Sequence, residues 1–195
     1  MPTPPARRHP EQLEWSDDAE ANRLIAHDPL ALLIGFVLDQ QITVEKAFAG
    51  PKVLRDRVGT LDAGRLARLD PDALAAIFAA PPALHRFPRA MAARVQALCT
   101  IVDERYQGDA TRIWEGVTQA EELRRRLLEL PGFGVGKAAI TLGVLAQHFG
   151  IRPRGWRQLA PRHPTLAQVT TRDQRIAYQT HKREQKRRLR EEARR

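Results

Sequence analysis

The stretch ELRRRLLELPGFGVGKAAITL, residues 122–142, places Gly132, Gly134 and Gly136 within five residues, directly after a proline. Apolar residues recur at helical spacing on both sides, so the stretch predicts two helices joined by a tight turn. The first N–H groups of the second helix would point outward unpaired, and Lys137 adds a positive charge beside them. This combination predicts a site for an anion such as a phosphate. The alternative is a turn whose glycines only allow the two helices to pack closely.

The composition is that of a globular protein of 195 residues, with 43% apolar and 28% charged residues. No apolar run is long enough to span a membrane, and the first dozen residues lack the apolar segment of a secretory signal. Cys99 is the single cysteine, so the chain can form no internal disulfide and cannot hold a four-cysteine iron–sulfur cluster. Its apolar helical surroundings predict an inert core residue. We expect a cytoplasmic protein with no metal and no cofactor.

The positive charge of the chain is concentrated at its end. Residues 151–195 contain 14 Lys and Arg against 4 Asp and Glu, whereas residues 1–150 contain 18 against 19. A basic tail on a neutral body favours a polyanion as partner, most often nucleic acid. The alternative is a solvated helix whose basic residues pair with its own glutamates.

The hydrophobic pattern is helical nearly throughout and predicts an all-α fold. Asp28-Pro29 begins the apolar helix PLALLIGFVLDQ, which we expect at the buried centre, and Ser16 is a candidate cap for an earlier helix. We predict a disordered N-terminal lead over 1–15, a helical domain over 16–150, and an irregular linker with a basic C-terminal helix over 151–195. Further helices are expected near 44–57, 62–68, 71–79, 86–107, 109–116, 119–129 and 171–194.

Three stretches, in order, resemble the helix-hairpin-helix (HhH-GPD) superfamily of base-excision DNA glycosylases. LPGFGVGKA (130–138) is similar to its hairpin, DPLALLIGFVLDQQIT (28–43) to its early core helix, and RFPRAMAARVQALCTIVDERYQGD (86–109) to its central helix. The resemblance implies a helical bundle with a helix-hairpin-helix DNA-binding motif, double-stranded DNA as partner, and a damaged base flipped into a cleft. The hairpin residues that it implies in DNA binding are Gly132, Phe133, Gly134, Val135, Gly136 and Lys137.

The chain departs from the superfamily where catalysis is concerned. The superfamily carries an essential Asp at the position that Arg154 occupies here, and Gly136 stands where bifunctional members carry a nucleophilic lysine. The cluster cysteines are absent as well, so the resemblance is to a small atypical branch. Glycosidic cleavage passes through a cationic transition state and needs an anion near the sugar. Asp39, at the end of the buried helix, is the best remaining candidate for a catalytic acid. The alternative is a structural carboxylate bonded to the backbone or to an arginine.

The remaining candidate DNA contacts flank these motifs. Gln40 and Gln41 stand in the turn from which superfamily members insert a polar side chain into the duplex, although a pair of amides satisfied within a buried turn is an equal alternative. Arg86, Arg89 and Arg154 are candidates for contact with the DNA backbone. His85 could touch the backbone too, and Trp156 could stack on a base or cap the core.

Two principal hypotheses for function follow. The leading one is a monofunctional DNA N-glycosylase for damaged, alkylated bases, since a base that already carries positive charge leaves readily. The other is a non-catalytic protein that binds damaged DNA, which the missing Asp favours. A third is a tail-driven RNA or nucleoid binder. In each case we expect a monomer that associates with the nucleoid.

Overall fold

A computed structural model describes residues 10–192 of the chain, and its fold over that range is all-helical. Two short 3-10 helices, Ala110–Ile113 and Leu166–Gln168, accompany the α-helices. The α-helices of the described range are α1 (Ala19–His27), α2 (Pro29–Leu38), α3 (Val44–Val58), α4 (Ala63–Ala67), α5 (Pro71–Ala79), α6 (Pro88–Tyr106), α7 (Ala120–Leu128), α8 (Val135–His148), α9 (Trp156–Leu159) and α10 (Arg172–Glu192).

Helix α2 lies at the centre of the core. Every residue from Leu30 to Leu38 is buried, and α1, α3 and α6 pack around the helix. The prediction of a buried central helix is therefore confirmed, because a helix that is apolar all round must be covered on all sides. No single helix within the described residues has the length and apolarity to cross a membrane. The pair α1 and α2, bent by 115°, passes such a test only when the two are taken together.

Short polar side chains begin most of the early helices by accepting hydrogen bonds from first-turn N–H groups. Ser16 is not one of them, contrary to the prediction, because α1 begins only at Ala19 and Asp18 takes the capping position. The Ser16 hydroxyl instead accepts from the Asp18 N–H at 3.2 Å and donates to Asn22 Oδ1 at 2.9 Å. The capping residues are Asp18 for α1, Asp28 for α2, Thr43 for α3, Asp62 for α4 and Asp70 for α5.

The predicted helix boundaries agree with the structure to within two residues for α3 to α7. The exception is the segment 109–116, which forms only the 3-10 helix Ala110–Ile113. Two turns of helix also interrupt the segment expected to be an irregular linker, at α9 and at Leu166–Gln168.

The core extends beyond both predicted domain boundaries. Leu13 and Trp15 are buried, and the Trp15 indole N–H donates to the Val169 carbonyl at 3.2 Å. Leu166 and Val169 belong to the same hydrophobic cluster. The predicted lead therefore becomes part of the core by residue 13, and residue 150 does not mark a break. Residues 1–9 of that lead lie outside the described range.

Helix α10 docks on the body through its first three turns. Arg175 and Gln179 are buried, and Tyr178 is half-buried against the core cluster. The predicted helix over 171–194 agrees with the observed Arg172–Glu192, apart from its last residues, which lie outside the described range.

Candidate nucleic-acid interface

The turn between α7 and α8, residues 130–136, is called the glycine turn below. Gly132 has φ +82°, a conformation that side chains with a Cβ rarely adopt, and Phe133 turns inward and is buried. Gly134 has φ −89° and ψ 178°, which is ordinary extended backbone. A Cβ added at Gly134 or Gly136 would meet no described atom within 4 Å, and the Val135 side chain is 64% exposed. The outer side of the glycine turn is therefore open.

The first N–H groups of α8 are available at this open side. The helix's first backbone bond runs from the Ala138 N–H to the Gly134 carbonyl at 2.9 Å, so the N–H groups of Val135, Gly136 and Lys137 precede the intrahelical ladder. Among the described residues, no side chain caps α8. These groups lie at the positive end of the helix dipole, and no carboxylate among the described residues caps them.

The sequence predicted that Lys137 adds its charge beside the outward N–H groups, but its side chain points inward. Its ammonium group donates to the Phe36 carbonyl at the end of α2 and lies 5.8 Å from the centre of the Phe133 ring. Burial lowers the pKa of Lys137 to about 8, with Asp39 opposing the shift and Lys182 and Arg94 adding to it. Lys137 therefore joins the glycine turn to the end of α2.

The turn after α2, residues 39–43, is called the glutamine turn below, and its two glutamines differ. Gln40 donates to the Val37 carbonyl at 2.8 Å and accepts from Arg94 at 2.5 Å, while its own carbonyl is bonded to His85 at 2.8 Å. Gln41 is exposed and has φ 58°. The alternative of a satisfied amide therefore describes Gln40, and Gln41 is the glutamine that projects.

Arg94 connects the two turns, although the sequence analysis did not single it out. Besides its bond to Gln40, its Cδ lies 3.8 Å from the position of a Cβ on Gly132, and Gln40 Nε2 lies 3.3 Å from that position. Its place two turns into α6 carries no motif, and only the packing of α6 on α2 brings it here. The glycine turn, the glutamine turn and Arg94 thus form one continuous surface.

Asp39 is held in an ion pair. The carboxylate is 12% exposed, and Lys182 of α10 lies 3.1 and 3.2 Å from its two oxygens. The pair borders an open groove of about 310 Å³ between the glutamine turn and α10. Of the two interpretations offered for Asp39, the structure shows an ion-paired carboxylate, with a lysine rather than an arginine as partner.

The other basic candidates stand in different surroundings. Arg86 lies 4.8 Å from the centre of the Phe87 ring, and Arg89 pairs with Asp72 at 2.8 Å, both on the exposed surface. Arg154 bonds Gln119 at 3.2 Å, and its backbone bridges the start of α7. The structure does not link these three by contacts to the two turns.

The two ring-bearing candidates, His85 and Trp156, also have contacts within the protein. His85 is buried rather than free to touch a DNA backbone, and burial lowers its pKa. Trp156 is half-buried against the core, with the Arg157 guanidinium 5.0 Å from its ring centre. Cys99 is buried as expected, and burial raises the pKa of its thiol to about 12.

Comparisons with models of protein families, with curated proteins and with solved structures found no match to this chain.

Proposed function

We propose that the chain binds damaged double-stranded DNA as a helix-hairpin-helix protein of base-excision repair. The observation that carries the proposal is the uncapped start of α8 at the open glycine turn, next to a projecting glutamine. Backbone N–H groups at a helix start bind phosphate oxygens without regard to base sequence, so this turn would hold the backbone of any duplex.

Arg94 and Gln41 complete this interface. Arg94 places a guanidinium beside the glycine turn, where it can bind a second phosphate as well as orient Gln40. Gln41 projects from the adjacent turn, and an amide can both donate to and accept from a base that has lost its partner. Gln41 rather than Gln40 would therefore fill the space of a flipped base.

Binding without cleavage is the activity that the geometry supports best. Asp39 is the best-placed carboxylate for glycosidic chemistry, and its charge is already matched by Lys182. A carboxylate in such a pair is a poorer stabiliser of a cationic transition state than a free one, because the lysine opposes the developing charge.

A second candidate function is a monofunctional N-glycosylase for alkylated bases. The observation that favours it is the groove of about 310 Å³ beside Asp39, which gives a base access to the carboxylate if Lys182 withdraws. Alkylated purines carry a positive charge that could replace that of Lys182 at Asp39, and they need little further help to leave.

Binding is tested by fluorescence anisotropy with a labelled duplex of mixed sequence, undamaged or with one abasic-site analogue, at several salt concentrations. We expect binding to both, tighter to the damaged duplex, with log K falling by about 0.9 per phosphate contact for each tenfold rise in salt. Absence of binding at low salt, or affinity independent of salt, would contradict the proposal.

Cleavage is tested by base release from duplexes that contain alkylated purines, with the native chain compared with Asp39→Asn. No release by either protein, with binding intact, is expected of the non-catalytic binder. Release that Asp39→Asn abolishes would instead establish the glycosylase, and equal release by both proteins would indicate that the charged base leaves without Asp39.

A further inference from the structure

Polar contacts dominate the attachment of α10 to the body. Arg172 and Arg175 both pair with Asp17, and Gln179 bonds Glu45, which also lies 3.4 Å from Arg175 Nε. One turn further on, Lys182 pairs with Asp39. The spacing of three, four and three residues puts these four side chains of α10 on one face.

The two ends of this row are held unequally. The Arg175 side chain is 2% exposed and faces two carboxylates, so separating it from them would leave a buried guanidinium unpaired. Lys182, by contrast, has a side chain that is 47% exposed, and it is the last residue of α10 with a described ion pair to the body. The Asp39 carboxylate is only 12% exposed, but it borders the open groove, so water can screen this pair more than the contacts of Arg175. The first two turns of α10 are therefore anchored, and its continuation beyond Gln179 is weakly held.

The weakly held part of α10 is basic by sequence, since residues 180–192 contain six Lys and Arg against three Glu. Arg183, Arg187 and Arg188 are all exposed, and Arg187 is 3.8 Å from Glu191 of the same helix. A DNA duplex bound at the glycine turn would bring a dense row of phosphates near these side chains. Lys182 would then have two anionic partners in competition, the Asp39 carboxylate and the phosphates.

We infer that the Lys182–Asp39 pair is an autoinhibitory latch. It weakens DNA binding by holding α10 on the body, and DNA phosphates release it. In the free protein, α10 closes one side of the groove at the glutamine turn and neutralises Asp39. On DNA, the helix beyond Gln179 leaves the body for the phosphate backbone, while Arg175 keeps its beginning in place. The groove at the glutamine turn then opens on the side of α10. This inference depends on the proposed DNA binding, and it concerns the regulation of the same site.

The latch is tested by measuring distances between two spin labels on the full chain. Cys99 is buried, so cysteines introduced at exposed positions can be labelled selectively. The probe protein carries Glu104→Cys on α6 and Glu184→Cys on α10, and the matched control carries Glu104→Cys and Asp173→Cys, in the anchored first turn. All three positions are exposed. Anisotropy with the same duplex shows in parallel whether DNA is bound.

We expect saturating duplex to shift or broaden the 104–184 distance and to leave the 104–173 distance unchanged. Bound DNA with an unchanged 104–184 distance would overturn the latch and leave the proposed function intact. Movement of both distances would also overturn it, because the whole helix would then have left. A failure to bind any duplex would overturn the proposed function and the latch together.

A second measurement separates the latch from simple attraction between the tail and DNA. Asp39→Asn removes the latch on the body side and keeps every cation of α10. It should broaden the 104–184 distance without DNA and tighten duplex binding about twofold to fivefold, as expected from the loss of one partly exposed ion pair. Asp103→Asn, which removes a carboxylate paired with Arg68 rather than with α10, is the matched control and should change neither. An unchanged distance in Asp39→Asn would contradict the latch.

Discussion

The N-termini of α2 and α8 differ in capping: a side chain caps α2, and none among the described residues caps α8. At α2, the Asp28 carboxylate accepts from the N–H groups of Leu30 and Ala31 at 2.8 and 3.0 Å. At α8, Gly134 stands in the corresponding place and offers no side chain. Both helices face the same requirement, because their first N–H groups have no partner within the helix.

This difference suits the start of α2 to stabilising the fold and the start of α8 to binding an external anion. A carboxylate from the chain itself stabilises the start of α2 and closes it to any other anion. The start of α8 is left without that stabilisation and is open on its outer side, so an external anion can take the same place.

The largest effect is expected when the open start is blocked. Gly134→Val should weaken duplex binding about 10-fold to 100-fold, since hydrogen bonds to a charged group contribute about 1.5–3 kcal/mol. The backbone at Gly134 is extended and a Cβ has room, so the thermal midpoint should fall only by the small cost of replacing glycine with valine at an N-cap. Anisotropy and thermal unfolding measure the two quantities. A loss of affinity for one lesion only would contradict a role in holding the backbone.

The converse change removes the internal anion at α2. Asp28→Ala should lower the free energy of unfolding by about 1–2 kcal/mol and leave duplex affinity unchanged. Asp28→Asn retains an oxygen that accepts from the N–H groups and is the matched control. Burial raises the pKa of Asp28, so Asn should also remove the cost of keeping a buried charge at neutral pH. Urea denaturation distinguishes the three proteins, and equal stability of Ala and native proteins would show that the cap contributes nothing.

The buried ammonium group of Lys137, at the start of α8, should make the stability of the fold depend on pH. Its pKa in the folded chain, about 8, lies below the value of about 10.4 for an unfolded lysine. The fold therefore binds fewer protons between these values, and its stability rises as the pH rises from about 8 to about 10.4. The stability of the native chain relative to Lys137→Met should increase over this window in urea denaturation. A difference that does not change with pH would contradict the buried position of the ammonium group.

The smallest expected effect concerns helix propensity at the two glycines of α8. Gly136→Ala and Gly143→Ala should each stabilise the fold by up to about 1 kcal/mol, because a Cβ meets no atom at Gly136 and only ordinary contacts, from 3.5 Å, at Gly143. Only Gly136 lies at the open turn. We therefore expect Gly136→Ala alone to weaken duplex binding, although it improves stability as Gly143→Ala does. Equal affinity of the two variants would place the DNA elsewhere.

The local parts of this account could be predicted from the sequence. The buried helix α2 follows from its apolar run, and the glycine turn from the proline and glycines after an amphipathic helix. Both signals lie within a few residues of the structure that they specify. The prediction of an α-helix over 109–116 was wrong, since only the 3-10 helix Ala110–Ile113 forms there. A segment of four residues is too short to show a helical hydrophobic period.

The parts that could not be predicted depend on contacts between distant segments. Lys137 is in the first turn of α8 by sequence, but its ammonium group reaches a carbonyl 101 residues earlier. Asp39 and Lys182 are 143 residues apart, and Arg94 reaches the glutamine turn only because α6 packs on α2. Such pairings have no local period or motif, so a single sequence indicates the residue types and not their partners.

The central claim is that the first N–H groups of α8 hold a DNA phosphate. The most direct test is an NMR titration of the nitrogen-15-labelled chain with an undamaged duplex, following backbone amide resonances at the two helix starts. We predict large shifts at Val135, Gly136 and Lys137 on binding, and unchanged resonances at Leu30 and Ala31, whose N–H groups Asp28 already occupies. Duplex binding that leaves the three amides of α8 unshifted would contradict the account.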